Sequence, residues 1–484
     1  MAAIIIKNDN LDTFEGTYNK INSIGGSPVI LKKEVTNIPD NSFNYCKFTD
    51  VDQINYEGSL SDWCKIIFNN EYSNPLTTEG NNGTIKKLGL KCLDENNLPV
   101  AVTAVTNLEI PSDITKLLSY SFSPLCLKES VITSITIHSG ITSVELDAFS
   151  TGTIYDDDIS KDGSINSNIK LNITDLEAWC KIDFETYPDN QEWGKEMNGT
   201  WYGSGANPLI ITGSLYLNGK EATEIEIPRS ITEIKPYTFG HYSKLQKVVF
   251  HDDIETIGRA AFYRCIGLTN INLPKNLKQI KSSAFCVCPF SEIIIPDTVT
   301  TIEKHAFANC WNLENITFSE NLETIGGGAF FGCPKLKYIS LPLNFKDFEY
   351  YSYRDYYDST TLYDSALFEV LETIEFNCIT VKDWLFYSGG FEKPENITSE
   401  DFEGFENPLK NIIIKDTVKN FHLNLNKYPN LEKIKFDNIK TWCEVEFSNR
   451  PNIDLVYIGD TKLTNIDNSI SEITTTVNDL NSHK

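Results

Sequence analysis

Histidine is scarce in this chain, six in 484 residues, and none stands with a serine or cysteine in a local catalytic signature. The G-x-S-x-G elbow, the Walker loop and the H-E-x-x-H pair are all missing. Catalysis would have to come from dispersed residues, so no enzymatic activity is expected. Basic residues are few as well, 42 Lys and Arg against 67 Asp and Glu, for a formal charge of −25. A surface this acidic repels phosphate backbones and anionic lipid, which argues against nucleic acid and membrane surfaces as partners. No run approaches the roughly eighteen apolar residues of a membrane-spanning helix. Met1-Ala2-Ala3-Ile4-Ile5-Ile6-Lys7 has neither the basic start nor the cleavage site of a leader. The twelve cysteines lack the spacing of a disulfide scaffold; only Cys286 and Cys288 are close, and a lone C-x-C is a weak metal signal. No cofactor is expected.

What the chain does have is a repeat. Phe239, Phe262, Phe285, Phe307 and Phe330 are spaced 23, 23, 22 and 23 residues apart. Five residues before each stands an isoleucine: Ile234, Ile257, Ile280, Ile302 and Ile325. Three residues after the last four stands a cysteine: Cys265, Cys288, Cys310 and Cys333. Short alternating segments lie upstream, as in Ile225-Glu226-Ile227-Pro228 and Ile271-Asn272-Leu273-Pro274. Alternation makes a strand with one face inward, and a proline that cannot donate to a ladder ends it. The segment from Ile to Cys then has to turn back so that Ile, Phe and Cys share one side. Such a unit cannot bury its apolar face alone, so it stacks on copies of itself. His305, in the return segment beside Ala306, is expected to be solvated, and Gly326-Gly327-Gly328 to be a turn variant.

Asp297-Thr298-Val299-Thr300-Thr301-Ile302-Glu303-Lys304-His305-Ala306-Phe307-Ala308-Asn309-Cys310 resembles the BspA-type leucine-rich repeat. The match is most specific between residues 221 and 342. It is looser at Val35–Cys46 (Ile38, Phe43, Cys46), at Leu108–Cys126 (Leu117, Phe122) and at Thr133–Phe149 (Val144, Phe149), and degenerate at 410–436. The resemblance implies a leucine-rich-repeat solenoid, mainly β. Short parallel strands would stack with short helical, 3₁₀ or irregular return turns. It also implies a surface or secreted protein that contacts host proteins or other cells.

A second element recurs three times: Trp63-Cys64-Lys65-Ile66-Ile67-Phe68, Trp179-Cys180-Lys181-Ile182-Asp183-Phe184 and Trp442-Cys443-Glu444-Val445-Glu446-Phe447. Alternation of Trp, Ile and Phe predicts a strand with a large anchor, the cysteine facing the other way. Exposed tryptophans forming a carbohydrate platform are the alternative.

Solenoids bind along a face or through insertions, because the coil is spent on stacking. One candidate is the tyrosine-rich insertion, with Tyr350, Tyr351, Tyr353, Arg354, Tyr356 and Tyr357, since Tyr and Arg give large contact area at low entropy cost. A second is the insertion carrying Trp193, Trp201 and Tyr202 among Gly and Asn. Asp158, Ser160 and Asp162 follow the calcium-loop pattern as far as Gly163, but Ile169 stands where the bidentate Glu belongs. That segment reads as an acidic turn, with weak calcium binding the alternative. Finally, Leu463, Ile466, Ile470, Ile473, Val477 and Leu480 are spaced 3, 4, 3, 4 and 3, a seam of two and a half heptads. It suits either a capping helix or an oligomerising stalk, in the latter case a homotrimer.

The organisation expected from these signals is a cap or arm at 1–28 and repeats with the first Trp-Cys element at 29–150. An insertion with the second element follows at 151–220 and regular repeats at 221–342. The tyrosine-rich insertion fills 343–409, degenerate repeats with the third element 410–459, and the heptad-like tail 460–484. The expected function is non-enzymatic adhesion to a protein or glycan ligand on a cell surface. A virion-associated fibre or decoration protein, trimerised through its tail, is the alternative.

Overall fold

The structure is a computed structural model. It describes residues 4–6, 29–38, 53–69, 77–79, 85–87, 89–102, 106–122, 132–146, 148–149, 169–186, 206–348, 371–381, 408–448 and 451–463. The chain divides into two compact units, Met1–Gln246 with Arg264–Gly267, and Lys247–Tyr263 with Leu268–Lys484.

In the first unit, strands Ile4–Ile6, Val29–Leu31, Gln53–Ser59 and Gly89–Leu93 pair in parallel, and Pro99–Ala101 folds back antiparallel on the last. A second run repeats the plan. Asn107–Glu109, Ser134–Ile137, Lys170–Ile173 and Leu215–Leu217 are parallel, and Lys220–Glu221 folds back on the last. Each coil then adds a two-residue strand to another ladder, where Lys116–Leu117, Ser143–Val144 and Asp183–Phe184 pair in parallel. Alternation sets the core: in Ser134–Ile137, Ile135 and Ile137 are buried while Ser134 and Thr136 stay half-exposed. The parallel coils and mainly β content expected of the repeat are thus present.

The second unit continues the same pattern with Thr256–Ile257, Gln279–Ile280, Thr301–Ile302, Thr324–Ile325 and Asp347–Phe348 in one parallel ladder. In another, Tyr338–Leu341, Thr373–Phe376, Asn411–Ile414, Lys433–Phe436 and Val456–Ile458 lie in register, and Thr461–Lys462 folds back antiparallel. The inward column Ile339, Ile374, Ile412, Ile434 and Val456 is completely buried. The Phe column stacks face to face, with Phe262, Phe285, Phe307 and Phe330 centroids 5.4, 5.6 and 5.6 Å apart.

The return turns are of the irregular kind. Two positions in each have left-handed backbone, two residues before and two after the column Phe: Tyr237 and His241, Ala260 and Arg264, Ser283 and Val287, His305 and Asn309, Gly328 and Gly332. A left-handed L-residue costs roughly 1–2 kcal/mol and stops a helix from propagating. Hydrogen bonding holds the conformation in place. Ser283, Phe285 and Val287 donate their N–H to Lys304, Ala306 and Ala308 of the next coil at 3.0, 2.8 and 2.8 Å. The intervening N–H groups of Ala284 and Cys286 close turns within the coil on Lys281 and Ser283. The next coil repeats this, with His305, Phe307 and Asn309 donating to Gly327, Ala329 and Phe331. The backbone is satisfied alternately along and across the stack.

The Trp-Cys element is not a strand, which corrects the sequence expectation. It is a capped helical turn: Leu60–Trp63 in the first copy, Leu176–Lys181 in the second and Ile439–Glu444 in the third. Ser59, Asp175 and Asn438 each accept from the backbone N–H three residues on, and Ser59 with Asp62 completes a capping box. A two-residue strand follows each turn: Ile67–Phe68, Asp183–Phe184 and Glu446–Phe447. In the first two copies cysteine is buried as fully as tryptophan. Trp63, Cys64, Trp179 and Cys180 are all at most 1% exposed. A carbohydrate platform on these two tryptophans is ruled out. Instead, the Trp63 indole donates to the Ser121 carbonyl at 3.2 Å and the Trp179 indole to the Thr238 carbonyl at 3.0 Å. Both acceptors sit in return turns of the first unit, beside left-handed Tyr120 and Tyr237. Trp442 is half-buried, its ring 5.2 Å from Phe436 and 5.3 Å from Phe447.

Candidate ligand-binding surface

In the second unit the outward positions of the long ladder form two columns. Tyr338, Thr373, Asn411 and Lys433 stand in one, and Ser340, Glu375, Ile413, Lys435 and Tyr457 in the other. Period-two alternation puts them there, since their neighbours fill the core. Their side chains interlock. Ser340 Oγ and Asn377 Nδ2 donate to Glu375 at 2.9 and 3.4 Å, and Asn377 also donates to Ser340 Oγ at 3.0 Å. Asn411 donates to Thr373 at 3.1 Å.

Charge on this face is nearly balanced, in a chain of net −25. Lys415 lies 3.6 Å from Glu375 and 3.4 Å from Asp437, and Lys435 lies 2.8 Å from Asp460. Burial alone would lower the Lys415 ammonium, but the Glu375 and Asp437 carboxylates overcome it and hold the group above its usual value. The Lys435 ammonium holds Asp460 below the usual carboxylate range. Partial burial and the neighbouring Glu375 raise the Tyr338 phenol. Lys433 sits 4.4 Å from the centroid of Tyr457, a cation–π contact. Tyr338 is 45% exposed. The face therefore offers aromatic surface, amide groups and paired charges on a rigid ladder.

Tyr350, Tyr351, Tyr353, Arg354, Tyr356 and Tyr357 lie outside the described residues, as do Trp193, Trp201, Tyr202, Asp158, Ser160 and Asp162. Of the heptad positions only Leu463 is described, half-buried at the end of the last described coil; Ile466, Ile470, Ile473, Val477 and Leu480 are outside. Tyr338, Lys433 and Tyr457 form no cluster in the sequence, because each stands on a different strand. The strand alternation Lys433-Ile434-Lys435-Phe436 already carried the signal.

His305 is a correction. Its imidazole is not solvated but packs where a Cβ on Gly328 would come within 2.6 Å of Cε1, and burial lowers it to about 4. The cysteine column is buried as expected, and its thiols do more than fill space. Cys288, Cys310 and Cys333 donate to the carbonyls of Phe262, Phe285 and Phe307 at 3.2, 3.3 and 3.2 Å. Among the described residues, no three His, Cys, Asp or Glu side chains converge as a metal site. None of the described helices is long and apolar enough to cross a membrane.

The sequence matches the BspA type leucine-rich repeat region in six copies, over residues 18–155, 210–289, 232–359, 278–389 and 386–481. The chain belongs to this family. Among solved structures it is similar to a leucine-rich repeat protein of Bacteroides ovatus, at 29% identity and TM-score 0.29, over 44% of this chain and 55% of that one. The chain thus spans about half the length of that protein. It is also similar to a leucine-rich cell surface protein of Faecalibacterium prausnitzii, at 15% identity and TM-score 0.25, over 75% and 96% of the two chains. A third is the pneumococcal vaccine antigen PcpA, at 16% identity and TM-score 0.30, over 76% and 96%. No curated protein matches the chain.

Proposed function

We propose that this protein is a non-enzymatic adhesion module, displayed on or secreted from a cell. On this reading it recognises a protein or glycan ligand through the outward face of the ladder from Tyr338 to Tyr457. Membership of a family of leucine-rich-repeat surface proteins supports the class. The observation that carries the site is the pair of outward columns, in which tyrosines, amides and paired charges are fixed at strand spacing. Rigid aromatic and amide groups bind polar ligands at low entropic cost. A face with neutralised charges also escapes the repulsion that the rest of this acidic chain imposes on an anionic cell surface.

The test is binding of the fluorescent full-length chain to cultured epithelial cells by flow cytometry. Saturable binding is expected, and the double variant Tyr338→Ala with Tyr457→Ala should lose about tenfold in affinity or more, the loss of two aromatic contacts. Absence of saturable binding, or equal binding by the variant, overturns the reading.

A further inference from the structure

The first two Trp-Cys elements align residue for residue, from Ser59–Phe68 to Asp175–Phe184. So do the coils that follow them, from Ile110–Phe122 to Ile227–Phe239. Both indoles reach the same point of the following coil, Ser121 in one copy and Thr238 in the other. Both copies therefore carry the same notch, between the two-residue strand after the helical turn and the return turn that takes the indole bond. What fills the notch differs.

In the second copy, Lys235 fills it. Its ammonium donates to the Lys181 carbonyl at 2.7 Å and forms an ion pair with the Asp183 carboxylate. Its aliphatic stem crosses from one wall to the other. In the first copy the residue at that place is Leu118, too short and without charge to do the same. A groove of about 470 Å³ remains, lined by Ile67, Phe68, Ile114, Leu118 and, at the rim, Lys65 and Asp113. Ile67, at the place of Asp183, is 53% exposed.

The carboxylate missing from position 67 is supplied from the opposite wall, where Asp113 stands at the place of Ser230. Ser61 Oγ and Lys65 Nζ both donate to one oxygen of Asp113, Oδ2, at 2.6 and 2.9 Å. The other oxygen takes neither bond. These two donors keep the carboxyl below its usual range. The rim's second lysine, Lys116, is already paired with Glu145 at 2.6 Å. The open notch therefore combines apolar walls with a carboxylate that has acceptor capacity to spare.

We infer that the first notch is a binding socket for a lysine side chain of a partner polypeptide, in the mode that Lys235 shows in the second notch. Leucine, isoleucine and phenylalanine side chains cover the stem, and Asp113 receives the ammonium. The net charge of −25 raises the local concentration of cationic segments and so favours such a partner. The socket lies in the first unit and is independent of the strand face proposed above.

The test uses the full chain with methyl-labelled Ile and Leu, titrated with the peptide acetyl-Gly-Lys-Gly-amide and followed by NMR. Expected are saturable shifts of the Ile67, Ile114 and Leu118 methyls. The norleucine peptide, which keeps the stem and lacks the ammonium, should bind about tenfold more weakly. Leu118→Lys copies the second notch and should abolish binding. Lys235→Leu opens the second notch and should add a second set of shifts at Ile182 and Ile231, a gain of signal that a misfolded Leu118→Lys variant cannot mimic. No shifts at millimolar peptide, or equal binding of the norleucine peptide, overturns the inference. So does unchanged peptide binding by a folded Leu118→Lys variant.

Discussion

The thiol of Cys310 donates to the backbone carbonyl of Phe285, one coil earlier, at 3.3 Å. The same bond joins Cys288 to Phe262 and Cys333 to Phe307. Each return turn is thereby tied to the previous one by a side chain as well as by its backbone. Leaving a buried carbonyl without its donor costs about 1–3 kcal/mol. Cys310→Ala is expected to lose about 2 kcal/mol by chemical denaturation, cavity included. Cys310→Ser keeps a donor and should lose less. Equal losses in the two variants would reduce the column to simple packing.

His305 gives the chain a pH dependence whose sign follows from burial. Its folded value is lowered from 6.5 to about 4, so the unfolded chain binds the proton more readily between those limits. Stability attributable to this group is full above about 6.5 and is lost as pH falls toward 4, by about 3 kcal/mol at most. His305→Asn removes the titration and tolerates the left-handed backbone at this position. The difference in unfolding free energy between the two proteins should therefore change across pH 4–6.5. A constant difference would mean that His305 titrates normally.

Glycines 326 and 219 make contrasting predictions. A Cβ on Gly326 would lie 2.3 Å from the Lys304 backbone nitrogen of the preceding coil, and backbone cannot step aside. Gly326→Ala is expected to cost about 3 kcal/mol, the upper end of overpacking. Gly219 has φ +79° and nothing within 4 Å of a built Cβ, so Gly219→Ala should cost about 1 kcal/mol, from conformation alone. Thermal melts in which both variants fall equally would show that stacking distance is not the constraint.

Trp179→Phe keeps a large ring but removes the donor to the Thr238 carbonyl 59 residues ahead. About 2–3 kcal/mol should be lost, the lost bond plus a small cavity. Wild-type stability in this variant would show that the indole bond contributes nothing.

The sequence exposes the stack and hides its turns, for a physical reason. Ile234, Ile257 and Ile280 recur because burial accepts few residue types. The left-handed positions carry Tyr, Ala, Ser, His, Arg, Val and Asn, and glycine in one turn alone. Inter-coil hydrogen bonds enforce that conformation, and they leave no preference a single sequence can show. The Trp-Cys turn is legible in its caps but ambiguous in its pattern. Ser59, Asp175 and Asn438 are caps in plain view, but a short apolar alternation behind them fits a strand equally well. The outward columns were legible by alternation alone, whereas their ion pairs to Lys415 and Asp460 depend on which coils become neighbours.

The tail from Leu463 to Leu480 supports two opposed expectations from one apolar pattern. As a heptad seam it would join three chains. The family match, however, runs through residue 481, so the same isoleucines also satisfy repeat columns. Ile466, Ile470 and Ile473 keep the spacing of Ile227, Ile231 and Ile234. Light scattering separates the two, because a stalk acts between chains and a coil acts within one. The seam predicts a trimer for the full chain and a monomer for a variant ending at Leu463. A full-length monomer whose melting temperature falls on truncation would instead assign these residues to the stack. The trimer would then have no basis, and any avidity of the adhesive face would have to come from its display on a cell.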